Sequence, residues 1–103
     1  MIRLAGQLIC ADSVEAAAVM AHLPDHIRLT RAEPGCLLFD VTQTADPLVW
    51  QVDETFIDRA AFEAHQTRTR GSAWFAATRG IQRDFRMEEV GGCPLGDGHS
   101  PSA

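Results

Sequence analysis

The sequence predicts a ferredoxin-like α+β sandwich of order βαββαβ, and three observations predict it. Four segments alternate apolar and polar residues as half-buried strands do. Two segments carry apolar residues at helical spacing behind a capping residue. The order of these segments is the one that covers one face of a four-stranded antiparallel sheet with helices. At 103 residues the chain makes one domain, a size that buries about 60–70% of the surface of its unfolded form.

The first strand is expected over Ile2 to Cys10, with Ile2, Leu4, Leu8 and Cys10 on one face and Arg3 and Gln7 on the other. "ADSVEAAAVMAHL" opens a helix with Asp12 or Ser13 as N-cap and Val14, Ala17, Ala18 and Ala21 as its apolar stripe. Pro24 lacks a backbone donor and crowds the preceding turn, so a kink or split is expected there, with "PDHIRLTRA" as a second helical piece. Pro34-Gly35 signals a turn, after which Leu37, Phe39 and Val41 alternate with Leu38, Asp40 and Thr42. "TADP" turns the chain into "LVWQVDETF", where Leu48, Trp50, Val52, Glu54 and Phe56 share one face. Asp58 caps the next helix, whose stripe is Ala61, Phe62, His65 and Thr69, with Trp74 and Phe75 as its apolar end. "IQRDFRMEE" is the last strand, with Ile81, Phe85 and Met87 facing one way. Residues 1–90 are thus expected to form the domain, and the Gly-, Pro- and Ser-rich residues 91–103 a flexible tail.

Leu38 and Val49 lie opposite the faces turned to the core, so the outer face of the sheet is expected to need a cover. A second copy packed sheet to sheet is the economical one, giving a two-fold homodimer.

Net charge is −5, which argues against a nucleic-acid partner, because that affinity comes from clustered cations releasing counterions. All nine basic residues are arginine and six of them follow Arg59, inclusive. That leaves room for a local anion site, although most read as a solvated helix face. No apolar run approaches the ~20 residues of a membrane span, and "MIRLAGQLIC" lacks the features of a signal peptide. The expected address is cytoplasmic. Cys10, Cys36 and Cys93 are too few and too scattered for a disulfide framework or a zinc site. His22 and His26 have metal-ligand spacing, but Pro24 stands between them without a third ligand, and they read as surface histidines. Nucleotide loops and the serine hydrolase elbow are missing.

Two polar residues sit where apolar ones are expected. Glu54 on the third strand and His65 on the second helix both project into the space between sheet and helices. Burial raises a carboxyl pKa and lowers an imidazole's, which brings both toward neutrality, where proton transfer at pH 7 is efficient. Spacing alone leaves His65 open between a core histidine with a partner and a base. It leaves Glu54 open between an acid–base group and a carboxylate paired with Arg83.

"TRAEPGCLLFDV", then "DP", then "WQVDETFIDRAAFEAHQT" is similar to the antibiotic biosynthesis monooxygenase domain family, over roughly Ile2 to Glu88. The specific pieces are the E-P-G-C turn, Glu33 to Cys36, and the strand glutamate followed by A-x-x-x-H, with Ala61 and His65. The resemblance implies a dimeric α/β barrel of two ferredoxin-like subunits, and cofactor-independent oxidation of quinols, phenols or polyketide anthrones by O₂. It implies His65 as base or hydrogen-bond donor and Glu54 as its partner. Trp50, Phe39 and Phe62 would then be apolar walls, and Arg83 would stabilise the phenolate. Other members act on small phosphorylated dicarbonyls or have no established activity, so an isomerase or a non-catalytic binding dimer are the alternatives. The chain contains no Asn and no Tyr, which sets it apart from relatives that degrade haem or relay protons through Tyr.

Overall fold

In the computed structural model, which describes residues 1–90, the elements are β1 (Ile2–Ile9), α1 (Ser13–Arg31), β2 (Cys36–Gln43), β3 (Val49–Phe56), α2 (Arg59–Arg70), α3 (Ala73–Thr78) and β4 (Gln82–Glu89). The expected tail, 91–103, lies outside the described residues. The strands form one antiparallel sheet in the order β2-β3-β1-β4. This is the ferredoxin-like βαββαβ fold, with a short extra helix before the last strand. Among the described residues no helix is long and apolar enough to cross a membrane.

The strand faces follow the alternation. Ile2, Leu4, Leu8 and Cys10 from β1 and its end, and Trp50, Val52, Glu54 and Phe56 from β3, are all buried on the side the helices cover. β2 departs from the expected pattern. A bulge between Cys36 and Leu38 inserts one residue against β3, and it turns Leu37 out to 56% exposure while Phe39 and Val41 remain inside.

α1 differs from expectation in two respects. It runs unbroken through Pro24, and its buried stripe is Ala16, Val19, Leu23, His26 and Thr30, not Val14, Ala17, Ala18 and Ala21. The two corrections share one cause. Pro24 and Met20 are both exposed, so the carbonyl that the missing N–H leaves unpaired lies on the wet side of the helix. With the helical register carried past Pro24, the frame that buries Leu23, His26 and Thr30 prevails over one built on alanines. Asp12 is the N-cap, accepting from the Glu15 amide at 3.0 Å.

Trp74 and Phe75 belong to α3 rather than to the end of α2. Gly71 closes α2, and Ser72 caps α3, accepting from the Phe75 amide at 3.2 Å. Trp74 is thereby turned into the core at 2% exposure.

Candidate active site

α2 places His65. Its cap, Asp58, accepts from the Ala61 amide at 2.8 Å, and the stripe Phe62, His65, Gln66 and Thr69 then faces the sheet. The ring is fully buried, with Phe56 at 4.8 Å and Phe39 at 5.9 Å between centroids.

The E-P-G-C turn places Glu33. Gly35 is required there by close approach, since a Cβ would stand 2.2 Å from that of Ala61, and its carbonyl accepts from the Ile57 amide at 2.8 Å. The turn therefore lies on the first turn of α2, and the Glu33 carboxylate accepts from His65 Nδ1 at 2.8 Å. Arg68 steadies the same oxygen, donating to it at 3.3 Å and to Thr30 Oγ1 at 2.9 Å.

A proton on Nδ1 leaves Nε2 as the acceptor of the neutral ring. Nε2 faces Thr69 Oγ1 at 3.4 Å and Glu54 Oε1 at 3.6 Å. Burial lowers the His65 pKa, against the raising effect of the Glu33 hydrogen bond and charge. Glu54 is 1% exposed, with Leu4 and Phe39 as its cross-strand neighbours, and neither of its oxygens has a hydrogen-bond partner among the described residues. Burial pushes its pKa up to about 8, the Glu33 charge adds to the rise and Arg83 opposes it. The result is a neutral carboxylic acid beside a neutral imidazole at pH 7, an acid and a base separated by their surroundings.

The structure thus brings His65, Glu54, Phe39 and Phe62 into one region, Phe62 through its edge contact with Phe56 at 5.8 Å. Arg83 is near enough to act on Glu54 electrostatically, but its guanidinium donates to the Thr78 carbonyl at 2.8 Å, the Ile81 carbonyl at 3.1 Å and Thr78 Oγ1 at 3.0 Å. Trp50 is buried on the same face of β3 as Glu54. It lies four residues from Glu54 along β3, about 13 Å at the usual rise, with Val52 between them on the same face. A surface depression of about 240 Å³ lies elsewhere, over the edge strand at Arg31, Cys36, Leu37, Leu38, Phe39 and Asp40.

Two residues were missed by sequence reasoning. Glu33 was visible only as part of a turn motif, and its contact with His65 spans 32 positions. His26 was expected at the surface, yet it is 1% exposed and lies 5.9 Å from His65 between ring centroids. Its spacing of three from Leu23 was the available signal, obscured by the split expected at Pro24. Among the described residues no group of three or more His, Cys, Asp or Glu side chains is placed to hold a metal ion.

The sequence model of the antibiotic biosynthesis monooxygenase family matches residues 6–77, more than half of the chain. No curated protein matches. Among solved structures, a Deinococcus radiodurans protein named for antibiotic biosynthesis monooxygenase superposes with a TM-score of 0.74 at 22% identity, over 95% of this chain and all of its own. A Nitrosomonas europaea protein of the same name gives 0.66 at 21% identity, over 86% of this chain and 97% of its own. A second Nitrosomonas europaea protein, described as of unknown function, gives 0.69 at 21% identity, over 94% and 95%. At these identities the likeness concerns the fold.

Proposed function

The chain belongs to the antibiotic biosynthesis monooxygenase family, and from that premise we propose that it is a cofactor-independent monooxygenase of a small phenolic, quinol or polyketide-like substrate. The observation that supports this most is the Glu33–His65–Glu54 arrangement: a buried imidazole oriented at Nδ1 by a carboxylate, with its Nε2 toward an unpartnered, neutral carboxyl. Such a pair suits a reaction that removes one proton and later returns one.

For an anthrone, Nε2 of His65 takes a proton from the methylene that the ring carbonyl acidifies, leaving an enolate. The enolate passes one electron to O₂, and the radical pair joins through a new C–O bond. The Glu54 carboxyl protonates the resulting peroxide. Loss of water, with cleavage of the O–O bond and removal of the remaining C–H proton, leaves a carbonyl. The methylene carbon gives up four electrons and O₂ accepts four, one oxygen atom being retained and the other leaving as water. The apolar walls at Phe39 and Phe56 exclude solvent from the anion.

The same reading takes the working form as a homodimer joined through the outer sheet face, where Leu38 is 43% exposed and Ile9 and Val49 are half-buried. Sedimentation equilibrium at micromolar concentration is then expected to return twice the chain mass, and a monomer would remove this part of the proposal.

The decisive experiment supplies ¹⁸O₂ with anthrones and quinols and follows the product by mass spectrometry. One labelled oxygen is expected, with turnover lower by roughly 10²–10⁴-fold in His65→Ala. Undiminished turnover in that variant would exclude His65 as the base. Saturable aromatic binding without labelled product would mark the protein as a non-catalytic binding dimer.

A further inference from the structure

His26 lies on the inner stripe of α1 at 1% exposure. Its imidazole stacks flat on the Trp74 indole, with centroids 4.8 Å apart and planes within 5°, and it meets the Phe39 ring edge-on at 5.3 Å. These contacts use only the ring's shape. Neither Nδ1 nor Nε2 has a hydrogen-bond partner among the described residues, although a buried polar group normally has one. Nothing in the packing of α1 calls for nitrogen at this place, since a phenyl ring would stack on Trp74 and Phe39 as well.

Unpartnered buried atoms also occur on Glu54 (both oxygens), Arg68 (Nε and Nη1), Arg83 (Nε) and Trp50 (Nε1) among the described residues. Those of His26 and Glu54 are linked through Phe39. Phe39 is the cross-strand neighbour of Glu54, and its ring touches both His26 and His65. The two imidazoles are 5.9 Å apart. The open nitrogens of His26 and the open oxygens of Glu54, on either side of Phe39, are what a polar ligand would fill.

We propose that His26 is a substrate-contacting residue: its imidazole, held in place by Trp74, donates its N–H to an oxygen, or accepts at its other nitrogen from a hydroxyl, of a phenolic or enolic ligand bound against His65 and Glu54. The assignment rests on the phenolic-substrate reading above and adds a third group to it. Burial pushes the His26 pKa down to about 3, helped by the charges of His65, Arg68 and Arg83. His26 therefore stays neutral, and it can donate to a developing anion without competing with His65 for the proton.

The test uses 4-nitrocatechol, a coloured phenol stable to O₂, titrated by visible absorbance into wild-type protein, His26→Phe and His26→Leu, with thermal melting of all three. Wild type is expected to bind saturably. Both variants are expected to bind roughly tenfold or more weakly, as for loss of a hydrogen bond to a charged oxygen. At least one of them should keep or raise the melting midpoint, because the unpartnered nitrogens are gone. Equal affinity in both variants would overturn the His26 assignment and leave the phenolic site standing. A midpoint lowered in both would mark the imidazole as a packing element and overturn it as well. Absence of binding by wild type would remove the phenolic reading and the His26 assignment together, so the wild-type titration tells the two failures apart.

Discussion

The inner stripes of α1 and α2 each bury one histidine against the same face of the sheet, and the fold treats the two side chains in opposite ways. His65 on α2 meets Glu33 at Nδ1 and Thr69 at Nε2, so its tautomer and ring orientation are set by the chain itself. His26 on α1 is equally buried, packs on the rings of Trp74 and Phe39, and has no hydrogen-bond partner at either nitrogen among the described residues. The lesson is that burial alone does not define a site residue. One histidine is prepared for proton transfer by its partners, and the other is left open for a partner that does not come from its own packing. Both imidazoles have lowered pKa values, and desolvation is the leading cause in each. Glu33 counters the fall at His65 alone.

The largest effect on that contrast is expected from Glu33→Leu, which removes the acceptor at Nδ1. The imidazole is then no longer held with its proton on Nδ1, and in the tautomer protonated at Nε2 it presents no acceptor toward Glu54. Product formation should fall by roughly 10²–10⁴-fold, as when a histidine base is locked in the wrong tautomer. Its pKa, followed by the ring ¹H and ¹⁵N shifts against pH, should drop further. Unchanged values of both would show that Glu33 does not orient the ring.

A second effect, read on stability as well as on rate, is expected from Glu54→Gln. The folded carboxyl titrates near 8 against an ordinary value of 4.5. Between those limits the folded state holds a proton that the unfolded chain has released, so stability falls as pH rises from about 4.5 to about 8. The loss is on the order of a few kcal/mol for a fully buried carboxyl. The variant removes it, and urea midpoints at pH 5, 6.5 and 8 should decline less steeply than in wild type. Parallel profiles would show that Glu54 does not titrate in this window. Activity gives the complementary check: kcat/KM should lose its upper limb near pH 8, where wild-type Glu54 ionises and no longer has a proton to give.

Much of the fold was legible because strand faces repeat every two residues and caps act within three. Glu54 stood out as a carboxylate in the run Trp50, Val52, Phe56, and that placement needed no knowledge of the partner strands. The first helix was misread where a local rule met a global one. Proline disfavours a helix interior, but the burial of Leu23 and His26 on either side of Pro24 outweighs one missing hydrogen bond at an exposed position. Leu37 was misread because a bulge is a relation between two strands, and β2 alone does not show it.

The sequence by itself determined which faces of β1 and β3 are apolar, where α1 and α2 start, and that one carboxylate and one histidine turn inward, all consequences of local periodicity and backbone chemistry. Tertiary structure decided which carboxylate holds His65 and that a second imidazole is buried beside it. Those outcomes depend on how α1, α2 and the E-P-G-C turn register against the sheet, and contacts between residues 32 or more positions apart follow from packing rather than from spacing.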